Sequence, residues 1–160
     1  MKAILLCIAV VLVATPVAAQ PSLDTAARNS LKWEHTHVAD VISTGAVAGA
    51  VALPCLLDRR WQCVKDEALR VGVATGIAMA TKALVKRERP DGSENVSFFS
   101  QHTAIACAAV MRRGARSPAQ TALMALCPSV GYFRIAADKH WLSDTVVGGV
   151  VGGVTVNLSW

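Results

Sequence analysis

The sequence predicts an all-α protein, a compact helical bundle of about five core helices, and three observations carry that prediction. No segment shows sustained apolar–polar alternation bounded by turns, the pattern of a half-buried strand. Long apolar stretches are bounded instead by helix start and stop signals such as Ser100, Ser117-Pro118 and Pro90. Small residues recur four apart at Gly45/Gly49, Gly72/Gly76, Gly148/Gly152 and Gly149/Gly153, and such faces let helix backbones approach closely. Alanine- and glycine-rich sequence is also simply what short packed helices use.

A chain of 160 residues makes one domain. Residues 1–19 read as a secretory signal: Lys2, an apolar run from Ala3 to Ala14, then the small residues Val17 and Ala19 before Gln20. That run is short of the roughly 20 residues a membrane span needs, with an uncleaved anchor as the alternative. Export to an oxidising compartment follows, a bacterial periplasm or the periplasmic face of a membrane. Residues 20–36 form a polar lead in which LDTAARNSLKW is a short amphipathic helix, and the helical domain covers residues 37–160. His35 and His37 have no other ligand types clustered nearby and read as ordinary polar residues at a helix start.

The first core helix runs from about Val38 to Leu57, rich in Ala, Val and Gly. The second spans about Asp66 to Arg87. Its acids stand at the start and Lys82, Lys86 and Arg87 at the end, as the helix dipole favours, and Pro90 stops it. Ser100 is a good N-cap for a third helix reaching about Arg112. Ser117-Pro118 opens a fourth that ends before Arg134, and a fifth carries His140 and Asp144 onward to Val156. Arg59, Arg60 and Lys65, with Arg112, Arg113 and Arg116, then fall at the end of the bundle opposite His140. The first helix is long and apolar enough to cross a bilayer and the third is too short, so a periplasmic or peripherally attached bundle is expected, with a six-helix membrane protein as the alternative.

Without residues 1–19 the chain keeps 15 basic and 11 acidic residues, a net charge of +4. No basic stripe with interleaved aromatics accompanies that excess, so nucleic acid is not an expected partner. A phosphate pocket and an anionic lipid surface account for it. Cys55 and Cys63 flank a polar turn, and Cys107 and Cys127 are equally distant from Ser117. Two disulfides in that pairing suit an exported protein; buried free thiols are the alternative. No CxxC occurs, and no acidic cluster suited to a divalent metal.

The stretch from Arg134 to Asp144, RIAADKHWLSD, carries three chemistries. If the chain is helical from His140, then His140 and Asp144 stand one turn apart on one face. A carboxylate there fixes the imidazole tautomer and frees the other ring nitrogen as a base or nucleophile. The same spacing also serves surface or capping pairs. Arg134 offers a fork of donors suited to phosphate oxygens.

Two upstream stretches join this one. Lys82 to Pro90 reads K-x6-RP, and Phe99-Ser-Gln-His102 follows after eight residues. In order and internal spacing the three blocks resemble the signature of the type 2 phosphatidic acid phosphatase (PAP2) superfamily, K-x6-RP, PSGH and SR-x5-H-x3-D, over roughly residues 37 to 158. The superfamily includes bacterial class A acid phosphatases and vanadium haloperoxidases, and the connecting text looks like its small bacterial exported members. The resemblance implies that Lys82, Arg89, Ser100 and Arg134 hold a phosphoryl group, with the side-chain amide of Gln101 as an alternative donor where the family has Gly. It implies that His140 attacks phosphorus, that Asp144 orients His140, and that His102 protonates the leaving oxygen and later activates water.

No metal or other cofactor is implied. The expected activity is a metal-independent phosphatase acting on a phosphomonoester or pyrophosphate. A phosphorylated lipid or small phosphate ester would be the substrate, with a membrane surface nearby. Phe98, Phe99, Tyr132, Phe133 and Trp141 lie against the motifs and would form an apolar rim for a lipid tail or simply pack the loops. The sequence departs from the pattern at Phe99, Gln101 and Phe133, where the family has Pro, Gly and Ser. If position 101 requires positive φ, Gln would cost on the order of 1 kcal/mol there and loosen the pocket. A non-catalytic phospholipid-binding protein and a vanadate-dependent haloperoxidase are the alternative functions.

Overall fold

The computed structural model describes residues 21–59, 61–111 and 117–155; the expected signal segment and Arg60, Arg112, Arg113 and Arg116 lie outside them. Among the described residues there are seven helices and no strand: α1 (Pro21–Leu31), α2 (Thr36–Asp58), α3 (Trp61–Leu84), α4 (Gln101–Val110), α5 (Pro118–Leu123), α6 (Leu126–Ala136) and α7 (Leu142–Val154). The all-α fold class is as predicted, with α2, α3, α4, α6 and α7 as the five core helices.

The bundle is built around α4, which packs on α2, α3, α6 and α7. Ala104, Ala106, Ala108 and Ala109 are fully buried, so α4 is apolar on every side and carries side chains small enough for neighbours to close in all round. Its closest neighbour is α7. A Cβ at Gly148 would come within 2.5 Å of the Ser100 carbonyl oxygen, and one at Gly152 would press still harder on the Ala104 carbonyl. Gly45, Gly72 and Gly76 have nothing within 4 Å of that position, so only part of the small-residue pattern marks backbone contact. Disulfides Cys107–Cys127 and Cys55–Cys63 tie α4 to α6 and the end of α2 to the start of α3. Phe98 and Phe99 are fully buried in the core against Ala74, Ala78, Ala104 and Val151.

Several boundaries differ from expectation. Helix α3 starts at Trp61, so Glu67 is not a first-turn acid; it is buried and paired with Arg70 at 2.8 Å. It stops at Leu84, well short of Pro90. The chain beyond doubles back, with the Ser97 N–H donating to the Arg87 carbonyl at 2.9 Å and the Arg89 N–H to the Glu94 carbonyl at 2.9 Å. The predicted fourth helix is two, α5 and α6, because Pro128 has no N–H for the Met124 carbonyl and its ring crowds that turn. Arg134 is therefore inside the last turn of α6 rather than beyond a helix.

Helix α2 is long and apolar enough to cross a membrane by length and composition: within Thr36–Leu57 its most apolar 18 residues have mean hydropathy 1.7 and are only 17% buried. Val41, Leu56, Trp61, Met79, Leu84 and Val146 add exposed apolar surface on α2, α3 and α7.

The α4–α7 contact predicts a stability contrast. Gly152→Ala forces backbone against backbone and should cost about 2 kcal/mol, a fall in Tm of roughly 6 °C. Gly45→Ala, on an open helix face, should raise stability by up to about 1 kcal/mol. Thermal unfolding followed by circular dichroism reads both; equal effects would contradict the close approach.

Candidate active site

Two chain reversals meet at one end of the bundle: the loop from the end of α3 to the start of α4, and the turn between α6 and α7. That last turn depends on Asp138, whose φ of 58° lies in the left-handed region that Asp tolerates better than most residues. Arg28 holds its carboxylate at 2.6 and 2.8 Å and Lys32 at 2.8 Å. The reversal lets the N–H groups of Lys139 and His140 both donate to the Arg134 carbonyl, at 3.1 and 3.3 Å, which brings Arg134 and His140 together.

His140 precedes α7 by two residues, so it is not on a shared helix face with Asp144 as the spacing suggested. Its ring is buried, and Nδ1 lies 2.8 Å from the Ser97 carbonyl oxygen. A carbonyl only accepts, so Nδ1 carries the hydrogen and Nε2 keeps its lone pair. Asp144 stands 3.8 Å from Nδ1, too far for a hydrogen bond and close enough to act as a charge. Ser97, rather than Asp144, therefore fixes the tautomer. The Asp144 carboxylate accepts from Arg87 Nη1 at 2.6 Å, from the Ser97 hydroxyl and from the Trp141 N–H at 3.1 Å, the last closing the first turn of α7.

Lys82, in the last turn of α3, has its pKa lowered by burial and then by Arg89 and Arg134, which shows three cations converging. Each arginine is held at its solvent side by a carboxylate. Arg89 Nη2 donates to Glu94 at 2.9 Å, and Arg134 Nη1 donates to Asp40 and, at 3.2 Å, to Ser43. The Nε groups of both arginines are buried and have no acceptor among the described residues. Unpaired buried donors are costly, so a pair of them beside a lysine marks a place for an anion. His102, on the first turn of α4, has its pKa lowered to about 4 by burial, then by Arg134 and His140. Burial is also the main cause for His140, again to about 4, with Arg134 and Lys82 adding to it against the opposing pull of Asp144. Burial alone would raise the Asp144 pKa, but His140, Arg87 and Ser97 outweigh it and hold the carboxyl below its usual range.

Lys82, Arg89, His102, Arg134, His140 and Asp144 thus share one site. Ser100 lies at its edge as the N-cap of α4. Its N–H donates to the Asp144 carbonyl at 3.0 Å and its oxygen accepts from the Thr103 hydroxyl at 2.9 Å, leaving only its own hydroxyl hydrogen to offer. Gln101 is the first residue of α4 and is not among the positive-φ residues, so the expected strain is not there; its side chain has no partner among the described residues. Phe98 and Phe99 are core residues rather than a pocket rim, and Phe133 stacks edge-on against Trp33 at 5.5 Å. An apolar cavity of about 360 Å³ lined by Leu31, Tyr132, Ile135, Leu142 and Val146 contains none of the charged cluster.

Sequence reasoning missed Asp24, Asp40, Arg87 and Ser97. Asp40 carried a signal, as the only acid between Thr36 and Leu57. Arg87 was one of four basic residues in a run, and nothing in the run says which one turns inward.

The PAP2 superfamily model matches residues 77–160, just over half of the chain, including all three motif blocks. The chain belongs to the PAP2 superfamily. A lipid A 1-phosphatase of Porphyromonas gingivalis is 36% identical over 92 residues, 54% of this chain. This PAP2 chain spans only 21% of that relative's length. The crystal structure of Aquifex aeolicus LpxE superposes with a TM-score of 0.65 over 82% of this chain and 89% of that one; at 23% identity the likeness is one of fold.

The depressed histidine pKa values make a ligand-linked prediction. A tetrahedral dianion in the cluster offsets the cations that depress His102 and His140, so it should raise both values. Sulfate does not titrate in this range, so its binding between about pH 4 and 6.5 should take up protons and tighten as pH falls. Calorimetry in two buffers of different ionisation enthalpy measures the uptake; none at pH 5.5 would contradict the assignment.

Proposed function

We propose that this chain is a phosphatase that hydrolyses a phosphomonoester or pyrophosphate at His140 without a metal ion, and that its substrate is a lipid phosphate. The observation that carries the reading is the pair of buried, unpaired Nε donors on Arg89 and Arg134 beside Lys82, next to a histidine whose Nε2 lone pair is free.

In this reading the equatorial phosphoryl oxygens lie on Lys82, Arg89 and Arg134, with the Ser100 hydroxyl at the edge. Charge developing there meets fixed cations, the main source of catalysis in phosphoryl transfer. His140 Nε2 attacks phosphorus as the bond to the leaving oxygen breaks, and protonated His102 gives that oxygen its proton. The ring becomes positive while Nδ1–H remains on the Ser97 carbonyl. Asp144 at 3.8 Å then stabilises that charge, by roughly 4 kcal/mol at an effective dielectric near 20. Water, giving its proton to His102, attacks the phosphohistidine and releases phosphate.

Three things support a lipid substrate at a membrane face: the likeness to the P. gingivalis lipid A 1-phosphatase, the exposed apolar surface of α2, and the N-terminal signal expected from the sequence. With that signal, residues 1–19 precede an exported domain on the periplasmic side.

Release of phosphate from p-nitrophenyl phosphate and from a short-chain phosphatidate tests the reading. His140→Ala should remove essentially all turnover, Arg134→Ala should lower kcat/KM by roughly a hundredfold or more, and EDTA should leave the rate unchanged. Loss of activity in EDTA that magnesium restores would refute the mechanism. So would full activity in His140→Ala.

A further inference from the structure

Asp24 lies on α1, outside every motif block, yet it is only 2% exposed. Its Oδ1 accepts the Ser143 N–H at 2.9 Å, and its Oδ2 accepts the Ser143 hydroxyl at 2.7 Å and Arg87 Nη2 at 2.6 Å. Arg87 passes the connection on through Nη1, which donates to Ser143 Oγ at 2.8 Å and to Asp144 Oδ1 at 2.6 Å. The other Asp144 oxygen takes the Ser97 hydroxyl, and the Ser97 carbonyl takes His140 Nδ1–H at 2.8 Å. Trp141 closes over the arginine, its ring centroid 5.6 Å from the guanidinium carbon and its indole N–H on the Glu88 carbonyl at 2.9 Å.

We propose that Asp24 and Arg87 are positioning residues for His140, so that α1 is a working part of the site rather than a lead into the domain. The proposal rests on the phosphatase reading above. Each link has a chemical requirement. The planar fork of Arg87 reaches two carboxylates and a hydroxyl at once, a geometry one ammonium group cannot reproduce. Without Arg87, Asp144 Oδ1 loses its donor, and the carboxylate is free to rotate or take a proton. Ser97 then keeps only its backbone N–H bond to the Arg87 carbonyl, and its own carbonyl holds the ring less firmly. Without the Asp24 charge, Arg87 Nη2 has no anion, and the α7 N-terminus loses the carboxylate that caps it from another helix.

Neither residue touches the cations assigned to the phosphate. Substrate binding should therefore survive changes that misplace the ring, and misplacement by an ångström or less can cost about a hundredfold in rate.

The test compares wild type, His140→Ala, Asp24→Asn, Arg87→Lys and the Asp24→Asn/Arg87→Lys double variant, with p-nitrophenyl phosphate and with dilauroyl phosphatidate in detergent. Each single variant should lose kcat by roughly tenfold to a hundredfold, with KM changed by no more than about twofold. The double variant should lose no more than the worse single one, because the residues act as a unit. If Asp24→Asn does not fold by circular dichroism, Ser143→Ala replaces it, removing only the hydroxyl the two residues share, and should lose roughly threefold or more in kcat. Wild type no more active than His140→Ala refutes the phosphatase reading and this proposal with it. An active wild type with variants of unchanged kcat overturns this proposal alone. So does a raised KM at unchanged kcat, which would make Arg87 a substrate contact, or losses that multiply in the double variant. Failure of all the variants to fold overturns it too, since the residues would then hold the fold rather than the ring.

Discussion

A carboxylate with no exposed surface dictates much of this structure. Asp144 is completely buried, and an unpaired charge there would cost several kcal/mol. The chain meets that cost with one charged and two neutral donors, Arg87, the Ser97 hydroxyl and the Trp141 N–H. Bringing them in decides the local backbone. The segment after α3 must leave the helix at Leu84 and double back, so that Arg87 and Ser97 arrive side by side. Helix α7 must begin at Leu142, so that its third residue caps its own first turn. The Ser97 carbonyl that fixes His140 is in place because the Ser97 hydroxyl is already committed to Asp144.

Packing sets how firmly that arrangement is held. The α4–α7 seam is backbone against backbone at Gly148 and Gly152, and the Ser100 N–H crosses it to the Asp144 carbonyl at 3.0 Å. The residue that caps α4 is thereby joined to the residue that anchors the site. The Cys107–Cys127 disulfide binds the same α4 to α6, which carries Arg134. His102, Arg134 and His140 thus ride on elements joined by a backbone seam and a covalent link, and small relative displacements are resisted.

The fold class was legible because helix signals are local: a serine cap, a proline stop, the absence of strand alternation. The boundaries were less so, since Pro128 interrupts a segment that otherwise reads as one helix, and Leu84 ends α3 for reasons that lie in Asp24 and Asp144. The charged cluster was legible through spacing. Lys82, Arg89, His102, Arg134 and His140 fall where antiparallel helices bring their ends together. What spacing does not encode is which donor meets which acceptor across the bundle. Asp24 reaches Arg87 across 63 residues and Arg134 reaches Asp40 across 94. The i,i+4 relation of His140 and Asp144 suggested a direct hydrogen bond, and the turn before α7 replaces it with the Ser97 carbonyl.

The electrostatics of the site follow from how its charges are divided between inside and outside. Glu94 and Asp40, both substantially exposed, neutralise the outer edges of Arg89 and Arg134 where water screens the pairing. The inner Nε edges stay unpaired and keep their field. Burial and that field hold His140 neutral down to about pH 4, which leaves the Nε2 lone pair free for the proposed attack. They also hold His102 neutral, and a neutral His102 cannot act as the proposed acid. In the proposed mechanism an arriving phosphate dianion would offset the cations at both rings, letting His102 take a proton while the Nε2 lone pair of His140 is taken up by phosphorus rather than by a proton. One positive field would then recruit the substrate, keep the nucleophile unprotonated in the free site and delay arming the acid until it is needed.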